Sequence, residues 1–411
     1  MTKKLAIFCD GTWNDLSLDA TTNVVRLAKC VAAQSATGVE QIVYYDEGVG
    51  VGSNISRVVD GLTKILGGAL GRGLDRKIET AYRFLVLNYE PGDEIYVFGF
   101  SRGAYTARSL CGLIRKCGIL RRSCFNKTPE ALKLYRSDVH PASPEMVQFR
   151  QTYAHPLASG SEDRVPGAPK AAPAEATDRE KLFQYRPTDT YRIMFLGVWD
   201  TVGAMGVPSR IDFLRLNQRY KFHDTSASSL IASLRHGIAT NEKRGVFDVT
   251  LIDNLDALNN EWAEATNWET VDSQHPRYVP YPYRPFQQRW FPGDHCSVGG
   301  GYEQTALSSA TLLWMAEGAE WAGLAFNHAP DDEMAKAARV LDPCATLGSK
   351  ATTGMPAGKH RADGPPNLDA VSNPTRHRYA ARADYRPPNL TILMGQPAEA
   401  AAPPPAGYPS A

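Results

Sequence analysis

The sequence predicts an α/β fold with a mostly parallel central sheet and helices on both faces. Three observations carry that reading. Apolar runs such as Leu5–Cys9 and Ile193–Trp199 are near-continuous, as in strands covered on both sides. Segments with apolar residues at helical spacing lie between these runs. And Ser101 stands in Gly99-Phe100-Ser101-Arg102-Gly103, directly after the apolar run Glu94–Phe98 and directly before the helix-forming stretch Ala104–Arg115.

Taken in order, Leu5–Cys9 reads as a first buried strand, ending in the loop Asp10-Gly11-Thr12-Trp13-Asn14. Thr22–Ala33 reads as a helix, with Val24, Val25, Leu27 and Val31 on its apolar side. Gln41–Tyr45 is a second strand, and Leu74–Tyr89 a helix with Ile78, Ala81, Phe84 and Leu85 on one face. Pro91-Gly92-Asp93 turns the chain into the strand before Ser101. Phe149–Asp178 is rich in Ala, Pro, Gly and Ser and reads as an exposed insertion. The sheet resumes at Tyr191–Trp199; Ser228–Thr240 reads as a helix, Arg289–Phe291 as a short strand and Leu307–Gly323 as a long apolar helix. One domain is expected over residues 1–342, with residues 343–411 a low-complexity, disordered tail.

The 411 residues can bury a large core, and 45 basic against 44 acidic residues leave a net charge of +1. That balance argues against a nucleic-acid partner and against a polybasic membrane anchor. The seven cysteines are scattered, without Cys-x-x-Cys or zinc-finger spacing, and read as free thiols of a reducing compartment. The first residues carry two lysines but too short an apolar run for a signal peptide, and no apolar run is long enough to span a bilayer. The expectation is a cytoplasmic product whose export, if any, uses a signal-independent route.

A serine at a sharp strand-to-helix turn has the layout of a nucleophile elbow. Glycines on either side let strand and helix approach closely, and the next N–H lies at a helix N-terminus. The competing reading is a serine that merely caps a helix. A serine hydroxyl is a poor nucleophile and needs a neutral imidazole as base and a carboxylate to orient that imidazole. In an α/β-hydrolase-like chain the order is serine, acid, histidine. Asp200 ends an apolar strand and opens the glycine-bearing loop Thr201–Gly206, which fits the acid; an Asx-turn aspartate is the alternative. Among nine histidines, His295 follows a strand and precedes Cys296-Ser297-Val298-Gly299-Gly300-Gly301, a loop that can reach the serine. His223 and His236 are rivals, His236 lying inside an expected helix where a structural role is more usual. An oxyanion needs two N–H donors, expected from Arg102 and from Gly11 or Thr12. No cofactor is required by this chemistry. Asp10-Gly11-Thr12 also resembles the end of a phosphatase Asp-x-Asp-Gly-Thr motif, but Phe8 replaces the attacking aspartate. Asp10, Asp46 and Asp200 could converge on a hard cation, though no spacing demands it.

Four stretches occurring in order now become informative: Phe8–Asn14, Gly99–Arg108, Leu196–Gly203, and Trp290–His295 followed by Val298–Tyr302. Together they resemble the α/β-hydrolase domain family that includes type VI secretion phospholipase effectors, from about Lys4 to about His328. The resemblance implies a triad falling on Ser101, Asp200 and His295, and ester hydrolysis, with lipid substrates for some members. It also implies an ester or lipid substrate, contact with a membrane surface, and a secretion or immunity partner. The apolar, glycine-rich Ile55–Leu74 is a candidate lipid-touching lid, or else a helix entry packed on the sheet. Two departures stand out. Asn241, in His236–Arg244, and Ser297, after His295, each replace an aspartate usual in the family. The second leaves Asp294 as the nearby carboxylate and motivates a rival reading, a binding protein that kept the fold and lost turnover.

Overall fold

The computed structural model describes residues 2–11, 21–47, 69–164, 189–203, 225–244, 247–269, 272, 274–276, 280–347, 361 and 363–395. Six strands form one sheet: β1 (Lys4–Cys9), β2 (Gln41–Asp46), β3 (Glu94–Phe100), β4 (Arg192–Trp199), β5 (Ile231–Ala239) and β6 (Phe286–Phe291). Their order is β2-β1-β3-β4-β5-β6 and every neighbouring pair is parallel. The described helices are α1 (Asn23–Cys30), α2 (Ala69–Asn88), α3 (Arg102–Cys117), α4 (Thr128–Tyr135), α5 (Pro144–Tyr153), α6 (Leu255–Thr266), α7 (His295–Gly299), α8 (Ala306–Trp321), α9 (Glu333–Val340), α10 (Asn373–Ala381) and α11 (Pro388–Met394).

The alternation of side chains along a strand explains the near-continuous apolar runs. On β1, Leu5, Ile7 and Cys9 enter the core beneath α2 and α3, whereas Ala6 and Phe8 enter the opposite core beneath α1, α8 and α9. On β3, Ile95 and Val97 face the first core and Tyr96 and Phe98 the second. Phe8 and Phe98 stack across the strands with ring centroids 4.6 Å apart. Each buried Leu, Ile, Val or Phe contributes about 1.5–3 kcal/mol, so both faces must be covered for the fold to stand.

From β1 the chain moves outward to β2 and then returns past β1 to β3. The order of strands therefore reverses between β1 and β3. In an open parallel sheet the crevice beyond the carboxyl ends of the strands at that reversal is where ligands bind. Gly11 follows β1 there and Ser101 follows β3.

Three expectations are corrected. Ser228–Thr240 contains no helix: Ile231–Ala239 is strand β5, buried at all nine positions between β4 and β6. Its Ser, Arg and His residues obscure the strand pattern, but each finds a polar partner. Ser233 Oγ donates to the Met194 carbonyl at 2.7 Å, and Arg235 meets Glu317 at 2.7 Å. Phe149–Tyr153 completes α5 rather than opening an insertion, and residues 165–188 lie outside the described residues. Residues 361 and 363–395, assigned by composition to the disordered tail, instead include α10 and α11 and pack on β6, with Ser372 N–H donating to the Trp290 carbonyl at 3.0 Å. A low-complexity composition hides Val371, Tyr379, Tyr385 and Leu390, which form a small core of their own. Most of Ile55–Leu74, the final Pro397–Ala411, His223, and Thr12 are outside the described residues. No described helix is long and apolar enough to cross a membrane.

Candidate active site

Ser101 occupies the turn between β3 and α3 with φ 58° and ψ −122°. A non-glycine residue in this region is strained, and such strain persists only where the surroundings enforce it. Here the enforcement is visible. Ser101 N–H donates to the Trp199 carbonyl at 3.0 Å, joining the turn to the end of β4. A Cβ on Gly103 would run into the Cys9 carbonyl oxygen, and one on Gly99 into the Gly103 carbonyl oxygen. Only glycine lets α3 start this close to β1 and β3. The described non-glycine residues with positive φ are Ser101, Asp200 at 41° and Asn267. The first two are residues that the sequence pattern selects for the site.

Asp200 is fully buried directly after β4. Its Oδ2 lies 2.6 Å from His295 Nδ1, and its Oδ1 accepts the Ala239 N–H at 2.9 Å. Arg361 adds a two-pronged contact, Nη1 to Oδ1 at 2.7 Å and Nη2 to Oδ2 at 2.8 Å. Burial alone would push the carboxyl up, but the Arg361 guanidinium, aided by His295, reverses this and holds it well below the usual carboxylate range. Asp200 is therefore a fixed anion.

His295 opens the short helix α7 instead of lying on a loop. Its ring packs against two phenyl rings, Phe100 with centroids 4.5 Å apart and Phe247 at 4.7 Å. Phe100 is the residue before Ser101, so the imidazole packs on the residue that precedes the elbow serine. The contact of Nδ1 with Asp200 fixes the tautomer, with Nδ1 carrying the proton and Nε2 the lone pair. The His295 N–H donates to Glu242 Oε2 at 3.1 Å, and Arg244 Nη2 donates to the same oxygen at 2.6 Å.

His236, the rival, is placed differently. It lies on β5, fully buried, with Nδ1 2.9 Å from Gln288 Oε1 and Nε2 accepting the Thr201 N–H at 3.3 Å. Burial pushes its imidazole down to about 3, so it is a neutral structural group that orients the residue after Asp200.

The other site residues are less uniform. Arg102 is the first residue of α3, where backbone N–H groups have no partner within the helix. The Gly11 N–H donates to Asp10 Oδ1 at 2.7 Å. Asp10 also accepts from the hydroxyls of Thr22 and Tyr45, at 2.7 and 2.8 Å. Asp46 pairs with Lys77. Asp10, Asp46 and Asp200 thus hold separate protein partners, and no metal-holding group of three or more His, Cys, Asp or Glu occurs among the described residues. At the second departure from the family pattern, Asp294 caps α7: its Oδ1 accepts from the N–H and Oγ of Ser297, at 2.9 and 2.8 Å, and its Oδ2 accepts from the Tyr302 hydroxyl at 2.6 Å. A carboxylate therefore stands next to Ser297 although position 297 itself lacks one.

Sequence reasoning missed Arg361, Glu242 and the ring contacts of Phe100 and Phe247 with His295 as parts of this site. Glu242 lies in a stretch the family pattern marks; Arg361, in a Gly- and Ala-rich segment, carries no local signal.

Comparison with known proteins gives the family. A family model for the type VI secretion system (T6SS) phospholipase effector Tle1-like catalytic domain matches residues 3–318. An uncharacterized protein of Saccharomyces cerevisiae is 28% identical over 253 residues, covering 60% of this chain and 32% of its own length. Two solved structures are similar at 18% identity. One is an uncharacterized protein from Pseudomonas aeruginosa, with TM-score 0.37, covering 79% of this chain and 47% of that one. The other is the Tle1 effector bound to the VgrG spike of the type VI secretion system, with TM-score 0.30, covering 74% and 51%. The chain thus spans about a third of the yeast relative and about half of each solved chain. With a family model matched from residue 3 to residue 318, the chain belongs to the Tle1-like phospholipase effector family of the type VI secretion system, in its catalytic domain.

Proposed function

We propose that this family member is a serine hydrolase that cleaves carboxylic esters of lipids, phospholipids first among them. The observation that supports it most is the pairing of a strained serine at the strand reversal with a buried imidazole–carboxylate pair packed against the residue before that serine. Ser101 Oγ attacks the ester carbonyl carbon while His295 Nε2 takes its proton. Asp200 keeps Nδ1 protonated and stabilises the imidazolium. The proton passes to the leaving alcohol as the C–O bond breaks, giving an acyl-serine. Water, activated by the same imidazole, then releases the fatty acid and restores Ser101. The backbone N–H of Arg102 holds the oxyanion, with Gly11 or Thr12 as the second donor. For Gly11 to serve, its N–H must turn from, or be shared with, Asp10 Oδ1. The enzyme meets its substrate at a lipid surface, after export by a signal-independent route with a secretion-system partner, and an immunity protein restrains it in the producing cell.

The test is hydrolysis of p-nitrophenyl esters from acetyl to palmitoyl, and of phospholipid vesicles, by wild type and Ser101→Ala. Activity that disappears in the variant supports the serine hydrolase, and a profile rising toward long chains supports lipid esters. Absence of activity on every ester favours the binding-protein reading.

A further inference from the structure

We propose that Arg361 is a positioning residue of this site, which sets the charge of the Asp200–His295 pair from a segment outside the matched catalytic domain. The proposal rests on the triad reading. The family match ends at Gly318, so Arg361 lies beyond it in the chain, yet it stands against Asp200 in space.

Four contacts fix the guanidinium. Nη1 and Nη2 reach the two Asp200 oxygens at 2.7 and 2.8 Å, Nη1 donates to the Ala239 carbonyl at 3.1 Å, and Nη2 donates to the Phe247 carbonyl. The residue is 7% exposed. The same segment ties down the peptide that supports the site. The Arg361 N–H donates to the Glu242 carbonyl at 3.4 Å, the Tyr385 hydroxyl to Asn241 Oδ1 at 2.9 Å, and Asn389 Nδ2 to the Thr240 carbonyl at 3.2 Å. Ala239 supplies an N–H to Asp200, and Glu242 receives the N–H of His295. Arg361, Tyr385 and Asn389 thus tie down the peptide that holds both halves of the pair.

A buried carboxylate facing only an imidazole favours the protonated ring. A fixed guanidinium on the same carboxylate opposes this and favours the neutral imidazole that Ser101 needs as its base. The other charged or titratable groups around the pair are Glu242 with Arg244, Asp294, Asp248 and the neutral His236. Among the described residues, Arg361 alone meets Asp200 with a permanent positive charge.

The test compares full-length wild type, Arg361→Lys and Arg361→Gln in pH–rate profiles of kcat/KM on a p-nitrophenyl ester, with fluorophosphonate labelling alongside. Arg361→Gln keeps a hydrogen bond and loses the charge. Its acidic limb is expected to move up by about half a pH unit or more, so that the rate at a given pH on that limb falls about threefold or more. Arg361→Lys keeps the charge and should hold the limb near its wild-type position, at a few-fold lower rate. A uniform loss in both variants with the limb unmoved, or no loss in either, overturns the proposal. If Arg361→Gln does not fold, Arg361→Met is the uncharged variant read in its place: a limb moved upward supports the proposal, and a limb unmoved overturns it. Failure of the triad reading looks different, because wild type itself would then show no labelling at Ser101.

Discussion

The Glu242 carboxylate receives the backbone N–H of His295 at 3.1 Å, so a buried acid holds the first residue of α7 by its main chain. Burial disfavours the Glu242 charge, but Arg244 overcomes this and holds the carboxyl below its usual range. Glu242→Gln replaces a charge-assisted bond with a neutral one and leaves Arg244 short of its partner. It is expected to cost about 1–3 kcal/mol of stability. It should also lower kcat about tenfold with little change in KM, since the imidazole and not the substrate is displaced. Steady-state kinetics and thermal unfolding check this.

Asp294 supplies the cap of α7 and gathers Ser297 and Tyr302. Asp294→Ala should cost about 1–2 kcal/mol, the loss of a helix cap. Ser297→Ala, which leaves the capping carboxylate in place, should cost less. Paired melting curves of the two variants measure the difference, and equal losses would mean that Asp294 does not act through the cap.

Gly103→Ala tests the closeness of α3 to β1. The added methyl meets the Cys9 carbonyl, a backbone group that cannot rotate away. A loss of about 3 kcal/mol or more is expected, or failure to fold, from overpacking of this kind. A denaturant titration of the variant checks it.

His236 gives the fold an acid sensitivity. Its imidazole titrates near 6.5 when free, and burial lowers it to about 3 in the fold. Between those values the unfolded chain binds more protons than the native chain. The stabilisation is therefore fully present above pH 6.5 and is lost as pH falls toward 3, at up to about 1.4 kcal/mol per pH unit. His236→Gln should flatten stability against pH in that window, at a cost of about 1–3 kcal/mol near neutrality. Chemical denaturation at a series of pH values measures both effects.

The parts of the fold legible in the sequence are those set by local pattern. Leu5–Cys9 and Ile193–Trp199 are near-continuously apolar because both sheet faces are covered, and the glycines around Ser101 mark a turn that needs them. β5 reads as a helix because its Arg235 and His236 are satisfied by distant partners, Glu317 and Gln288. Propensity has no access to such pairing. Arg361 escapes for the same reason: its partner Asp200 is 161 residues away. The folded segment after it is hidden by composition, which registers proline and alanine but not the apolar anchors Val371, Tyr379, Tyr385 and Leu390 that seat it.

The proposed chemistry stands or falls with Ser101 as the nucleophile. Labelling of the full chain with a fluorophosphonate, followed by peptide mass spectrometry to locate the adduct, addresses this without any assumption about the natural substrate. One phosphonyl group per chain is expected, on Ser101, with labelling slowed when His295 is replaced by alanine. An adduct on another residue, or no adduct on a folded chain, would show that Ser101 is not the nucleophile.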